Sequence, residues 1–85
     1  MDQKELERLK EQERKNGFAV YNHIEMVLAE RDHAIYRLNI RPESKNPYGM
    51  VHGGAIYTMA DNATGAAAHT DGRNYVTQTS ALHFL

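Results

Sequence analysis

Between Gly53 and Ala68 the chain carries an alanine-rich run with a single charged residue, Asp61, entered through His52-Gly53-Gly54. No other stretch restricts the fold as strongly. Ile56, Met59, Ala60, Ala63 and Ala67 recur at helical spacing, which predicts a helix over 53–68 with one apolar face. So many alanines make a thin cylinder around which a sheet can wrap closely. Gly65 inside such a helix costs up to about 1 kcal/mol against alanine, which points to close backbone approach by another element.

The rest of the chain reads as the wrapping. Residues 1–16 are dense in Glu, Lys, Arg and Gln, all good helix formers, with Glu11 and Lys15 spaced to pair. Leu6 and Leu9 are the only strong apolar anchors, so a solvated helix on the domain edge is expected, a partner-docking helix being the alternative. Asn16-Gly17 is a helix stop. Residues 18–30 read as a strand region, with Val20, Ile24, Met26 and Leu28 partly at period two. After the polar turn Glu30-Arg31-Asp32, residues 33–40 alternate, Ile35, Arg37 and Asn39 against Ala34, Tyr36, Leu38 and Ile40, and a hairpin joins the two strands. Pro42 and Pro47 make residues 43–48 a loop. Beyond the helix, Thr70-Asp71-Gly72 is a turn, and residues 75–85 return to strand alternation. The order, helix, two strands, loop, central helix, strand, predicts an α+β domain.

With 85 residues there is room for one small domain, and a net charge of −1 gives no electrostatic reason to expect nucleic acid or an anionic membrane. There is no cysteine, which excludes disulfides, zinc–thiolate sites and a cysteine nucleophile. The histidines show no metal-ligand spacing, so no metal is expected. A charged N-terminus and the lack of a long apolar run predict a cytoplasmic location and no membrane partner. Without staples or metal, a domain this small is expected to gain stability by oligomerising.

Gly53 and Gly54 open a helix whose first backbone N–H groups can hold an anion or a developing oxyanion. Two glycines also make an ordinary tight turn. No Gly-Lys-Ser/Thr follows, so a phosphate loop is excluded and a carbonyl oxygen is the reasonable ligand. Asp61 fits a general base or nucleophile, and equally a solvent-facing position beside Tyr57 and Thr64. Eight residues of helix separate Gly53 from Asp61 by about 12 Å. One carbonyl cannot touch both on the same helix, so if they share a substrate the aspartate comes from a second copy, as a two-fold dimer allows.

Asn46-Pro47-Tyr48-Gly49-Met50-Val51-His52-Gly53-Gly54-Ala55, followed by Met59-Ala60-Asp61-Asn62-Ala63, resembles the hotdog-fold acyl-CoA thioesterases, most closely the PaaI-like, phenylacetate-degradation type. The likeness runs from residue 18 to 85, leaving residues 1–17 as a variable charged helix. It implies a central helix wrapped by a curved antiparallel sheet, with subunits joined edge to edge as dimers and commonly tetramers. It also implies that residues 18–85 are the N-terminal portion of such a domain, whose further strands are not in this sequence. The resemblance assigns carbonyl polarisation to the Gly53 N–H and water activation, or direct attack, to Asp61 of the partner copy. Asn46 and His52 match positions that shape the carbonyl side of the pocket. Thr77 matches a hydroxyl that holds the water or the carboxylate, with Thr79 as the fallback. Gly54, Tyr57 and Met59 are expected at the substrate. Coenzyme A enters as part of the substrate and no separate cofactor is implied. A non-catalytic acyl-CoA-binding or regulatory protein, or an inactive fragment, is the alternative.

Overall fold

The computed structural model describes residues 3–84; Met1, Asp2 and Leu85, which belong to the expected first helix and last strand, lie outside the described residues. The elements run α1 (Gln3–Glu13), α2 (Gly17–Tyr21), β1 (Ile24–Glu30), β2 (His33–Leu38) and α3 (Gly53–His69), with a 3-10 turn at Pro42–Ser44.

Helix α1 forms where its composition predicts and buries none of its residues. Glu11 pairs with Arg14, three positions on, rather than with Lys15; both partners lie just past the helix end at Glu13. The expected strand over 18–30 is corrected at its start. Asn16 does more than stop α1: its side chain accepts the Ala19 N–H at 3.2 Å and caps a new turn of helix, α2. The β-favouring Phe18, Val20 and Tyr21 therefore coil, and all three stay exposed while Ala19 is buried. His23, in the left-handed region at φ 58°, then turns the chain into β1.

β1 and β2 form the expected antiparallel hairpin, with Asp32 at φ 59° in its turn. Ala34, Tyr36 and Leu38 face inward and His33, Ile35 and Arg37 outward, as the alternation predicts. In β1 the phase changes partway. Met26 pairs with Tyr36 but Leu28 with Ile35, so the strand carries an extra residue at Val27. Such a bulge shifts every later side chain by one position, and Ile24, Met26 and Ala29 are the buried residues, Leu28 being only half-buried. On the outer face Arg37 donates through Nε and Nη2 to Glu25 Oε1 at 3.0 and 2.5 Å, and Asn39 Nδ2 donates to the same oxygen at 3.2 Å. Arg37, then Asn39, hold the Glu25 carboxyl below the usual range. Because this pair is exposed, Arg37→Ala is expected to cost no more than about 1 kcal/mol in urea denaturation; a larger loss would mean the pair does more than decorate the sheet. On the inner face, burial and then the nearby Glu13 carboxylate push the Tyr36 phenol well above the ordinary range, although its hydroxyl finds no hydrogen bond of normal geometry.

α3 packs across the hairpin, chiefly on β2. The Asp32 N–H donates to Thr70 Oγ1 at 2.8 Å, tying the hairpin turn to the C-terminal end of the helix. Yet no residue of α3 is buried. The strand expected over 75–85 is corrected for the described part. Residues 73–84 form no regular element and pair with no strand among the described residues. Alternation licenses a strand only where another strand offers its backbone groups, and these residues instead lie as a strap along α3, held by side chains.

Candidate active site

The start of α3 is built from the preceding loop. Lys45 bridges to Val51, closing residues 45–51 into a compact excursion. Inside it the Asn46 side-chain oxygen accepts the N–H groups of Tyr48 at 2.9 Å and Met50 at 3.1 Å, and Asn46 N donates to Met50 O at 2.7 Å. The oxygen of Asn46 is thus spent on the loop, while its amide nitrogen makes no hydrogen bond among the described residues. Gly49, at φ 81°, takes the left-handed conformation that completes this turn. The chain then enters α3 through His52 in an extended conformation.

Gly53 is the first helical residue. A Cβ built on it would meet the Phe84 ring at 3.4 Å, so the far end of the strap lies against the helix start. Gly54 follows, and its N–H donates to His52 Nδ1 at 2.8 Å. The two glycines therefore differ: one N–H is occupied by a histidine and the other is not.

Two turns along, the strap reaches Asp61. Thr77 Oγ1 donates to Asp61 Oδ1 at 2.7 Å, while Oδ2 makes no hydrogen bond among the described residues. One turn nearer the helix start, the Tyr57 hydroxyl meets Ser80 Oγ. Tyr57 and Asp61, four residues apart, share a face of α3. With Thr77, Ser80, Tyr75 and His69 they line an open groove of about 1080 Å³ between α3 and the strap. Thr79 lines the same groove, but the carboxylate is held by Thr77. Met59, two residues from both Tyr57 and Asp61, lies on the other side of the helix and does not line the groove. The expected site residues thus fall into two groups. Asn46, His52, Gly53 and Gly54 gather at the helix start, and Tyr57, Asp61 and Thr77 gather in the groove, with about 12 Å of continuous helix between Gly53 and Asp61.

The groove's far end holds contacts that the sequence pattern did not single out. The Tyr75 hydroxyl donates to Asp71 Oδ2 at 2.5 Å, the Arg73 N–H donates to Asp71 Oδ1 at 2.8 Å, and the Tyr75 ring stacks on His69. The Tyr75 hydroxyl first, then the Arg73 N–H, hold the Asp71 carboxyl below its usual range, and Asp71 in turn raises the Tyr75 phenol. Asp71 therefore contributes stability above the unfolded carboxylate value of about 3.9, lost as pH falls through its lower folded value. Tyr75 contributes fully below about pH 10 and its contribution is lost as pH rises through its raised folded value. Tyr75→Phe is expected to move the Asp71 carboxyl titration back up toward the ordinary range in an NMR pH series; an unmoved titration contradicts the assignment. The turn chemistry of Thr70-Asp71-Gly72 was legible, but the pairing with a residue four positions later carries no motif.

Among the described residues no group of three or more His, Asp or Glu side chains could hold a metal ion, and no helix is long and apolar enough to cross a membrane. Residues 48–85 match the family model described as the thioesterase superfamily. The match takes in the helix start, all of α3 and the strap, including His52, Gly53, Asp61 and Thr77, and begins two residues after Asn46. No curated protein and no solved structure matches the chain. A helix laid on an antiparallel hairpin fits an α+β, hotdog-like arrangement, and the match supports thioester hydrolysis as the general class of chemistry.

Proposed function

We propose that the chain is an acyl-CoA thioesterase of the PaaI-like type, working as a homodimer or a pair of dimers in the cytoplasm, with each site shared between two copies. The observation that carries this is the Asp61 carboxylate, held through one oxygen by Thr77 at the wall of an open groove, inside the segment that matches the thioesterase superfamily. Held this way, the carboxylate presents its second oxygen to a water. Asp61 of one copy takes a proton from that water as its oxygen adds to the thioester carbonyl carbon. The carbonyl oxygen, now an oxyanion, is met by the Gly53 N–H of the other copy at the positive end of α3. Collapse breaks the carbon–sulfur bond, and the proton held by Asp61 passes to the leaving coenzyme A sulfur. Direct attack by Asp61 on the carbonyl carbon instead breaks the carbon–sulfur bond, releases the coenzyme A thiolate and gives a mixed anhydride, which water hydrolyses to the free acid and the Asp61 carboxylate. In this reading Asn46 acts on the carbonyl side through its unengaged amide nitrogen, and the acyl group runs along the groove past Tyr57 and Ser80.

Cleavage of a panel of aryl- and alkyl-CoA esters, followed by thiol release, tests this. Turnover of at least one ester above the buffer rate is expected. Failure of every ester, with saturable CoA-ester binding, would replace catalysis by the second reading, a non-catalytic acyl-CoA-binding protein. The separation of Gly53 and Asp61 favours that reading for any chain that stays single, since one copy holds both groups about 12 Å apart along α3, too far to meet on one carbonyl.

A further inference from the structure

An α-helix begins with four N–H groups that have no partner within the helix. In α3 these belong to His52, Gly53, Gly54 and Ala55, and three are taken. The His52 N–H donates to Ser44 O at 2.7 Å, the Ala55 N–H to His52 O at 3.0 Å, and the Gly54 N–H to the His52 ring at 2.8 Å. Gly53 alone keeps a free donor among the described residues. His52 thus supplies two of the three acceptors.

The ring is also seated sterically. A Cβ on Gly54 would come within 3.0 Å of His52 Nδ1 and 3.2 Å of Cε1, so the ring occupies space that any larger residue at position 54 would need. A backbone amide can only donate, and Nδ1 must therefore be the bare nitrogen, with the proton of the neutral ring on Nε2. Histidine is not among the favoured capping residues. Here the vacancy at Gly54 is what lets an imidazole reach the position that a Ser or Asn side chain usually fills.

We propose that His52 is a positioning residue, which caps α3 through Nδ1 and leaves the Gly53 N–H as the single donor presented at the helix start. Its work is done through the backbone rather than on the substrate. The catalytic part rests on the thioesterase reading above; the capping part does not.

Two measurements separate them. In nitrogen-15 NMR of the wild-type chain, His52 Nδ1 is expected to resonate as an unprotonated acceptor, and the Gly54 amide to exchange more slowly than that of Gly53. His52→Ala removes this protection, and His52→Asn, which restores a short capping acceptor, returns it. In thioester cleavage His52→Ala is expected to lower kcat by about 3- to 30-fold, the size of a lost cap, with KM little changed. His52→Asn recovers most of kcat, and Gly54→Ala, which displaces the ring, copies His52→Ala without adding to it. A protonated Nδ1, or a Gly54 amide indifferent to His52→Ala, overturns the proposal. So does a His52→Asn enzyme as slow as His52→Ala with its cap intact, since the imidazole would then act on the substrate itself. If the wild type cleaves no thioester, the functional reading fails, and the cap still stands or falls on the spectra.

Discussion

Asp61→Asn is expected to lower thioester cleavage by about 10²- to 10⁴-fold, the usual worth of a positioned proton-transfer group, while the fold survives. Three features make this substitution informative. Asp61 is exposed, so no buried charge is removed with it. Asparagine has similar helix propensity in the interior of α3. Its carbonyl oxygen can still accept from the Thr77 hydroxyl, so the hydrogen bond that ties Asp61 to the strap is kept. What is lost is the capacity to take a proton from water or to attack as a nucleophile. Asp61→Ala removes the Thr77 contact as well and is expected to be at least as slow. Thiol release measured for both variants at saturating substrate, with circular dichroism as the check on folding, decides the matter. Wild-type turnover in both removes Asp61 from the mechanism.

Gly53→Pro is expected to cost about 10²- to 10³-fold in kcat, the range for deleting one oxyanion donor. Proline normally disrupts a helix, but Gly53 is the first residue of α3, where proline is well tolerated and deletes an N–H that has no acceptor within the helix. The residue before it suits the change too. His52 sits at φ −63°, ψ 133°, the extended conformation that a following proline requires. The added ring atoms approach the Phe84 side chain, whose far end is the nearest obstacle, at 3.4 Å from an ideal Cβ. Such a contact is absorbed by a small movement of an exposed side chain. The substitution therefore deletes the proposed donor and little else. Unaltered kcat in a folded Gly53→Pro enzyme would assign carbonyl polarisation elsewhere, Asn46 being the next group to try.

Much of this arrangement can be read in the residues. The small-residue periodicity of α3 and the alternation of β2 each match a single period cleanly, and both elements start where that period places them, although β2 ends at Leu38, two residues short of the alternation. The failures have identifiable causes. Phe18-Ala19-Val20-Tyr21 favours a strand by composition, but one side-chain oxygen on Asn16 outweighs that preference by capping a helical turn. The bulge at Val27 depends on how β1 meets β2, and nothing local marks it. Residues 73–84 have the pattern of a strand, yet a strand is a pairing and not a property of one segment. The Thr77–Asp61 contact spans sixteen positions, and no local spacing marks it. The capping role of His52 was hidden because histidine is an uncommon cap, and the open space at Gly54 that permits it is visible only in three dimensions.

In the proposed mechanism Gly53 and Asp61 act together from different copies. Mixing the two crippled chains tests it most directly. Gly53→Pro and Asp61→Ala chains, each nearly inactive alone, are unfolded together, refolded in equal amounts and assayed for thiol release. Random pairing makes about half of the dimers mixed, and each mixed dimer holds one site with both defects and one with neither. A site shared between copies gives recovery of about a quarter of wild-type activity. A mixture no more active than either variant alone would contradict it.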